Sequence, residues 1–161
     1  MIELERKFLV SDPPDSLAHC RSQPIDQAYL TITDQWEFRV RRIGAETVLT
    51  IKHGSGERRT EVEVPIGEDE FQSLRSLSDT AIAKRRHYLE DGEVTIEVDV
   101  YEGELEGLII AEVEFDSEAA AAAFAPPRWL GEEVTGDARY ANQQLALIGA
   151  PDQTTRALSN D

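Results

Sequence analysis

Residues 1 to 10 read Met1-Ile2-Glu3-Leu4-Glu5-Arg6-Lys7-Phe8-Leu9-Val10, and the rest of the chain is best read outward from them. Side chains alternate with period two along a strand, so Glu3, Glu5 and Lys7 fall on one face, two carboxylates and an ammonium together. Ile2 and Leu4 lie between them, followed out of phase by Arg6 and Phe8. A solvated strand face of mixed charge has the same pattern. What gives this stretch weight is that later segments repeat it.

After a connector from Ser11 to Gln23, broken by Pro13 and Pro14 and holding one helical turn near Ser16 to Cys20, a short strand covers Gln27 to Ile32. Asp34 and Gln35 turn the chain into Trp36 to Ile43, where Glu37, Arg39 and Arg41 oppose Trp36, Phe38 and Val40. Thr47 to His53 sets Lys52 opposite Leu49 and Ile51, and Arg59 to Ile66 sets Arg59, Glu61 and Glu63 opposite the valines. The His53 to Glu57 segment between them reads as a hairpin loop, since no helix follows its glycines to bind phosphate. Ala81 to Leu89 carries Lys84, Arg86 and Tyr88 on one face and reads as an edge or mouth strand. Val94 to Tyr101 alternates most cleanly, and Gly107 to Asp116 shows Glu112 and Glu114 opposite Ala111, Val113 and Phe115.

Helical spacing marks Glu68 to Ser76, with acidic residues in its first turn, and an alanine run capped by Ser117 that stops before Pro126. A last helix is expected over Ala138 to Ile148 with Asp137 as its cap. Residues 1–148 therefore form one domain, and 149–161 read as a disordered tail.

The formal charge of −16 argues against nucleic-acid or anionic-membrane partners. Cys20 is the one cysteine, which excludes an internal disulfide and points to a cytoplasmic setting, and no window is apolar enough to span a bilayer. All three lysines, Lys7, Lys52 and Lys84, sit in strand-like segments.

About eight strands, an even number that can close into an antiparallel barrel, each present one apolar and one doubly charged face. Two arrangements follow: charges outward around an oily core, or charges lining a water-filled channel with the apolar faces turned out under helices. Composition favours the first; the uniform character of the charged faces, and helices at Phe71 to Leu77 and Ala138 to Ile148 that need apolar surface, favour the second. An inward set of Lys7, Arg39, Arg41, Lys52, Arg59, Lys84 and Arg86 facing Glu3, Glu5, Glu61, Glu63, Glu97, Asp99, Glu112 and Glu114 cannot be buried dry. Carboxylates without His or Cys suit Mg²⁺ or Mn²⁺, and Arg and Lys suit phosphate, so the fitting ligand is a polyphosphate carrying a divalent cation.

Taken in order, Glu3-x-Glu5-x-Lys7, Gln27-x-Tyr29-Leu30, Arg39-x-Arg41, Lys52, Arg59-x-Glu61-x-Glu63, Lys84-x-Arg86, Glu97-x-Asp99, Glu112-x-Glu114 and Tyr140-x-Asn142 resemble the CYTH superfamily, the triphosphate tunnel metalloenzymes. The resemblance runs from residue 1 to about 147 and is to its short bacterial inorganic triphosphatases. It implies a mainly β fold, an eight-stranded antiparallel barrel forming a charged tunnel with a few flanking helices. It also implies Lys7, Arg39, Arg41, Lys52, Arg59, Lys84 and Arg86 as phosphate ligands, and Glu3, Glu5, Glu61, Asp99, Glu112 and Glu114 as Mg²⁺ or Mn²⁺ ligands. Glu61, Glu63 and Glu97 stand beside arginines and are equally suited to orienting them, and Lys7 and Tyr29 are the candidates for proton handling. The implied reaction is metal-dependent hydrolysis of inorganic tripolyphosphate by a monomer or homodimer. Thiamine or nucleoside triphosphatase, adenylate cyclase and non-catalytic polyphosphate sensor are the alternatives. The pairs Arg41-Arg42, Arg58-Arg59 and Arg85-Arg86 leave a one-residue choice of which arginine points inward.

Overall fold

The computed structural model describes residues 4–54 and 59–151. Eight strands form one antiparallel sheet: β1 (Leu4–Leu9), β2 (Arg21–Ile32), β3 (Trp36–Ile43), β4 (Glu46–His53), β5 (Thr60–Pro65), β6 (Ala81–Asp91), β7 (Val94–Tyr101) and β8 (Ile109–Phe115). Their order is β1-β8-β7-β6-β2-β3-β4-β5. The helices are α1 (Glu68–Arg75), α2 (Glu118–Ala123) and α3 (Asn142–Ile148). None of the described helices is long and apolar enough to cross a membrane.

Register divides the side chains cleanly. Lys7 pairs with Glu112, Glu112 with Glu97, Asp99 with Arg86, Gln27 with Arg41, Arg39 with Thr50 and Lys52 with Glu61, so these residues share one face. The opposite face is apolar and lies under helices. Phe8, Ile96, Val98, Ala111, Val113 and Phe115 pack with Ala121 of α2 and with Phe124, and Ala28 and Val40 pack with Phe71 of α1. Ser117 starts α2 by accepting a hydrogen bond from the Ala120 amide, as its place before the alanine run predicts.

Barrel closure by hydrogen bonding is absent among the described residues, because β1 and β5 do not pair. The outer edge of β1 is already taken by residues 131–135. Gly131 N donates to Leu9 O, Leu9 N to Glu132 O and Val134 N to Lys7 O, each at 2.8 Å, while Lys7 N donates to Thr135 Oγ1 at 3.0 Å. A strap in that position satisfies and blocks the edge that β5 would have used.

The sheet still curls. Asn142 bonds Tyr101 on β7, and the next residue, Gln143, bonds Glu37 on β3. Those strands are three steps apart, which in a flat sheet would separate them by roughly 14 Å. Adjacent residues of one helix reach both only because the charged face wraps around it.

Three expectations are corrected here. The Ser11 to Gln23 connector ends early, since β2 begins at Arg21, and β6 is a central strand between β7 and β2, with Lys84 and Arg86 paired to carboxylates on the inner face. The last helix is split into a 3-10 turn, Ala138–Tyr140, capped by Asp137, followed by α3. It covers no outer surface: Tyr140 and Leu145 pack on Ile82, Tyr101 and Ile110, the inner-face residues at one end of the strands. The trough is therefore plugged at that end. The Glu3 assignment, most of the His53 to Glu57 loop and the tail from 152 onward lie outside the described residues.

Candidate active site

The wall formed by β6 and β7 holds the most buried ions. Lys84 Nζ lies 2.6 Å from Asp99 Oδ2, and Arg86 grips the same carboxylate with Nε to Oδ1 at 2.8 Å and Nη2 to Oδ2 at 2.9 Å. Arg86 also reaches Glu97 Oε2 at 2.9 Å through Nη1. Burial would raise the Asp99 carboxyl, but the Arg86 hydrogen bonds, with Lys84 and Arg86 charge, hold it below the usual range. Burial lowers the Lys84 ammonium in spite of Asp99, while Arg86 is held firmly protonated by Asp99 and Glu97 against the cost of its own burial. Lys84 is thus the cation of this wall that most readily loses its proton.

On the facing wall, Arg39 Nη1 lies 3.8 Å from Glu37 Oε1 and Lys52 Nζ 4.0 Å from Glu61 Oε2. Burial, then the neighbouring Arg39 charge, lowers both the Lys52 and Arg41 pKa values. Arg41 has no hydrogen-bond or ion-pair partner among the described residues. Arg59 is exposed at the approach to β5, close enough to Lys52 to contribute to its lowering. Tyr29 pairs with Arg39 across the ladder, and its hydroxyl accepts a 2.6 Å hydrogen bond from Gln27 Nε2. Burial raises the Tyr29 pKa, which keeps the phenol protonated at neutral pH.

The open side of the trough carries the carboxylates of β1 and β8. Lys7 Nζ stands 3.4 Å from Glu112 Oε1, and Glu5 faces Glu114 in register. Partial burial, then the Glu112 charge, raises the Glu5 pKa, with Glu114 adding a smaller repulsion. A carboxylate such as Glu5, whose pKa is raised by burial and by its acidic neighbours, fits a divalent cation, whose charge removes the repulsion. Among the described residues, no three acidic, His or Cys side chains converge as a ready-made metal cage. Mg²⁺ is commonly held by one or two carboxylates plus substrate phosphates, so this donor set suits a metal arriving with its phosphate ligand.

Two of the three arginine pairs are resolved by position, while Arg58 of the third lies outside the described residues. Arg41 and Arg86 lie on the inner face, whereas Arg42 pairs with Asp26 and Glu68 and stacks over Phe71, and Arg85 Nη1 bonds Ser22 Oγ. Asp99 is placed with both oxygens bound by cations, and Glu61 is exposed beside Lys52.

A CYTH domain family model matches residues 1–144. The chain belongs to the CYTH domain family. This CYTH domain is 44% identical over 151 residues to an inorganic triphosphatase of Nitrosomonas europaea, covering 91% of this chain and 98% of that one. It is 38% identical over 147 residues to an inorganic triphosphatase of Acetivibrio thermocellus, covering 89% and 92%. The crystal structure of an inorganic triphosphatase matches it with a TM-score of 0.79 at 40% identity, over 94% of this chain and 98% of that chain.

Several residues that shape the CYTH trough carry no charge signal in the sequence. Asn142 Oδ1 accepts from Tyr101 OH at 2.7 Å and from Lys84 Nζ at 3.3 Å, and Gln143 Nε2 donates to Glu37 Oε2 at 3.2 Å. The first two residues of α3 thereby hold the Lys84 cation on one wall and, on the other, the Glu37 carboxylate that pairs with Arg39. Glu37 was legible as a member of the Arg39 and Arg41 face, and Gln27 and Asn142 through the family motifs; Thr50 and Gln143 were not, because isolated neutral residues give no pattern.

Proposed function

We propose that this CYTH domain is a metal-dependent inorganic triphosphatase, cleaving tripolyphosphate to diphosphate and orthophosphate. The observation that carries the reading is a single curled face on which Arg39, Arg41, Lys52, Lys84 and Arg86 stand on facing walls while Glu5, Glu112 and Glu114 stand at the side. Such a face matches the alternating needs of a polyanion and its cation. The names of the relatives from Nitrosomonas europaea and Acetivibrio thermocellus support the same substrate.

In this reading the arginines and Lys52 bind and straighten the triphosphate, and the Asp99 and Glu97 carboxylates hold Arg86 ready for it. Glu5, Glu112 and Glu114, with Glu3, would hold Mg²⁺ or Mn²⁺, which supplies charge neutralisation on the phosphate oxygens when bound. Asp99 and Glu61, which the family resemblance places with the metal, act here by orienting Arg86 and Lys52. Water adds to a terminal phosphorus, the bridging P–O bond breaks, and the water's proton passes to a carboxylate of the open side. Tyr29, held protonated, donates to a phosphate oxygen, and Lys7 neutralises the departing diphosphate beside Glu112.

The plugged end favours an inorganic substrate, because an adenosine or thiamine group has to leave by the open side. The test is release of orthophosphate from tripolyphosphate, ATP and thiamine triphosphate in Mg²⁺, Mn²⁺ and EDTA. Metal-dependent release with tripolyphosphate as best substrate is expected. Cyclic AMP and diphosphate from ATP, or tight binding without turnover, would replace the reading with a cyclase or a sensor.

A further inference from the structure

Two buried polar atoms of the trough have no hydrogen-bond partner, Thr50 Oγ1 and Arg39 Nε. They belong to residues directly opposed across the β3–β4 ladder. Thr50 is 1% exposed, and an unpaired buried hydroxyl is a cost to the fold, so the position is one where a β-branched apolar residue would be more stable. Arg39 also meets the Tyr29 hydroxyl and, through Nη1 at 3.8 Å, Glu37, and Glu37 is in turn held by Gln143 of the α3 plug. What is left is an N–H donor and a hydroxyl on opposed residues of the inner face, between Tyr29 on β2 and Glu63 on β5.

We infer that Thr50 is a substrate-binding residue, and that its hydroxyl and Arg39 Nε together seat a terminal phosphoryl oxygen beside the plugged end of the trough. This rests on the triphosphatase reading for the identity of the ligand. Both groups can donate and neither atom reaches a carboxylate, so a single acceptor such as a phosphate oxygen satisfies both at once. Arg39 and Glu63, the residues opposed to Thr50 on its two neighbouring strands, have long side chains on the same face. Because Glu37, the ion-pair partner of Arg39, is bonded to Gln143 of the plug, the seat is on the plugged side of the face, where a terminal phosphoryl group fits better than an internal one.

The test compares Thr50→Val, which keeps shape and removes the hydroxyl, with Thr50→Ser, which keeps the hydroxyl. Binding of tripolyphosphate is followed by calorimetry in Mg²⁺, with hydrolysis and melting temperature measured on the same samples. Thr50→Val is expected to bind tripolyphosphate about tenfold more weakly, as befits one lost hydrogen bond to a charged acceptor, while melting no lower than the wild type without ligand. Thr50→Ser is expected to bind within about twofold of wild type, the scale of an unchanged bond. Wild-type affinity in Thr50→Val, or equal losses in both variants, overturns the inference. A wild type that binds tripolyphosphate without hydrolysing it removes the triphosphatase reading and leaves the Thr50 comparison decisive; one that does not bind it overturns both.

Discussion

The Lys84 ammonium lies 2.6 Å from Asp99 Oδ2 with the two side chains 2% and 1% exposed, and Arg86 closes on the same carboxylate from the other side. One anion thus compensates two cations in a nearly dry wall. Asp99→Asn leaves Lys84 without its ion-pair partner and Arg86 with Glu97 alone, and the expected loss is about 3–5 kcal/mol in urea unfolding, with triphosphate hydrolysis abolished. The pH dependence has a defined sign. The folded Asp99 pKa is below its unfolded value, so its stabilisation is complete above about pH 4 and is lost as pH falls through the folded pKa. The variant should show a shallower acid limb. An unchanged unfolding free energy would mean that the wall tolerates the unpaired charges.

Lys52 tests the electrostatics of the opposite wall. Its pKa is lowered by burial and then by Arg39, so the ammonium is lost at a pH below the usual lysine value of about 10.4. If that charge holds phosphate, kcat/KM falls on the alkaline side before an ordinary lysine would titrate, and Lys52→Arg moves the fall to higher pH. Stability moves the other way. Between the folded and unfolded pKa values the unfolded chain binds more protons, so unfolding free energy rises with pH in that window. Lys52→Met should lower kcat/KM by at least about tenfold at pH 8. An arginine variant with an unmoved alkaline limb would assign the limb to another group.

The strap along β1 depends on Gly131. A Cβ there would meet the Leu9 carbonyl oxygen at 2.7 Å, and that atom is backbone already bonded to the Gly131 amide. Gly131→Ala therefore pushes the strap off the β1 edge, at an expected cost of about 1–3 kcal/mol. Amide hydrogen exchange at Leu9 and Val134 should speed up before exchange in β6 or β7 does. Equal protection in variant and wild type would show that the strap accommodates the methyl group.

The alternation of Glu97 and Asp99, or of Arg39 and Arg41, was enough to place those residues on one face, because period two is a local property of a strand. Which of two adjacent arginines faced inward was not local. It is settled by Arg42 finding Asp26 and Glu68, and by Arg85 finding Ser22, on the outer face. What occupies the β1 edge was not local either: residues 131–135 carry no strand pattern, yet their backbone takes the edge that an even strand count assigns to β5. Likewise, the spacing of Tyr140 and Leu145 told that a helix had an apolar stripe, and only tertiary structure could tell that the stripe enters the trough.

Glu112 carries the last prediction. It meets Lys7 at 3.4 Å, and its charge is, after burial, the main reason the Glu5 pKa is raised. Glu112→Gln keeps the shape and removes that repulsion, so without metal the variant should unfold within about 0.5 kcal/mol of wild type. Metal binding responds oppositely, since a hard divalent cation draws its affinity from the same carboxylate charge. Mn²⁺ affinity, measured by water-proton relaxation with and without tripolyphosphate, is expected to weaken at least about tenfold, the lower range for loss of a ligand's support. Hydrolysis should fall further than affinity, and saturating Mn²⁺ should not restore it. Unchanged Mn²⁺ affinity would remove Glu112 from the metal set and leave it as the partner of Lys7.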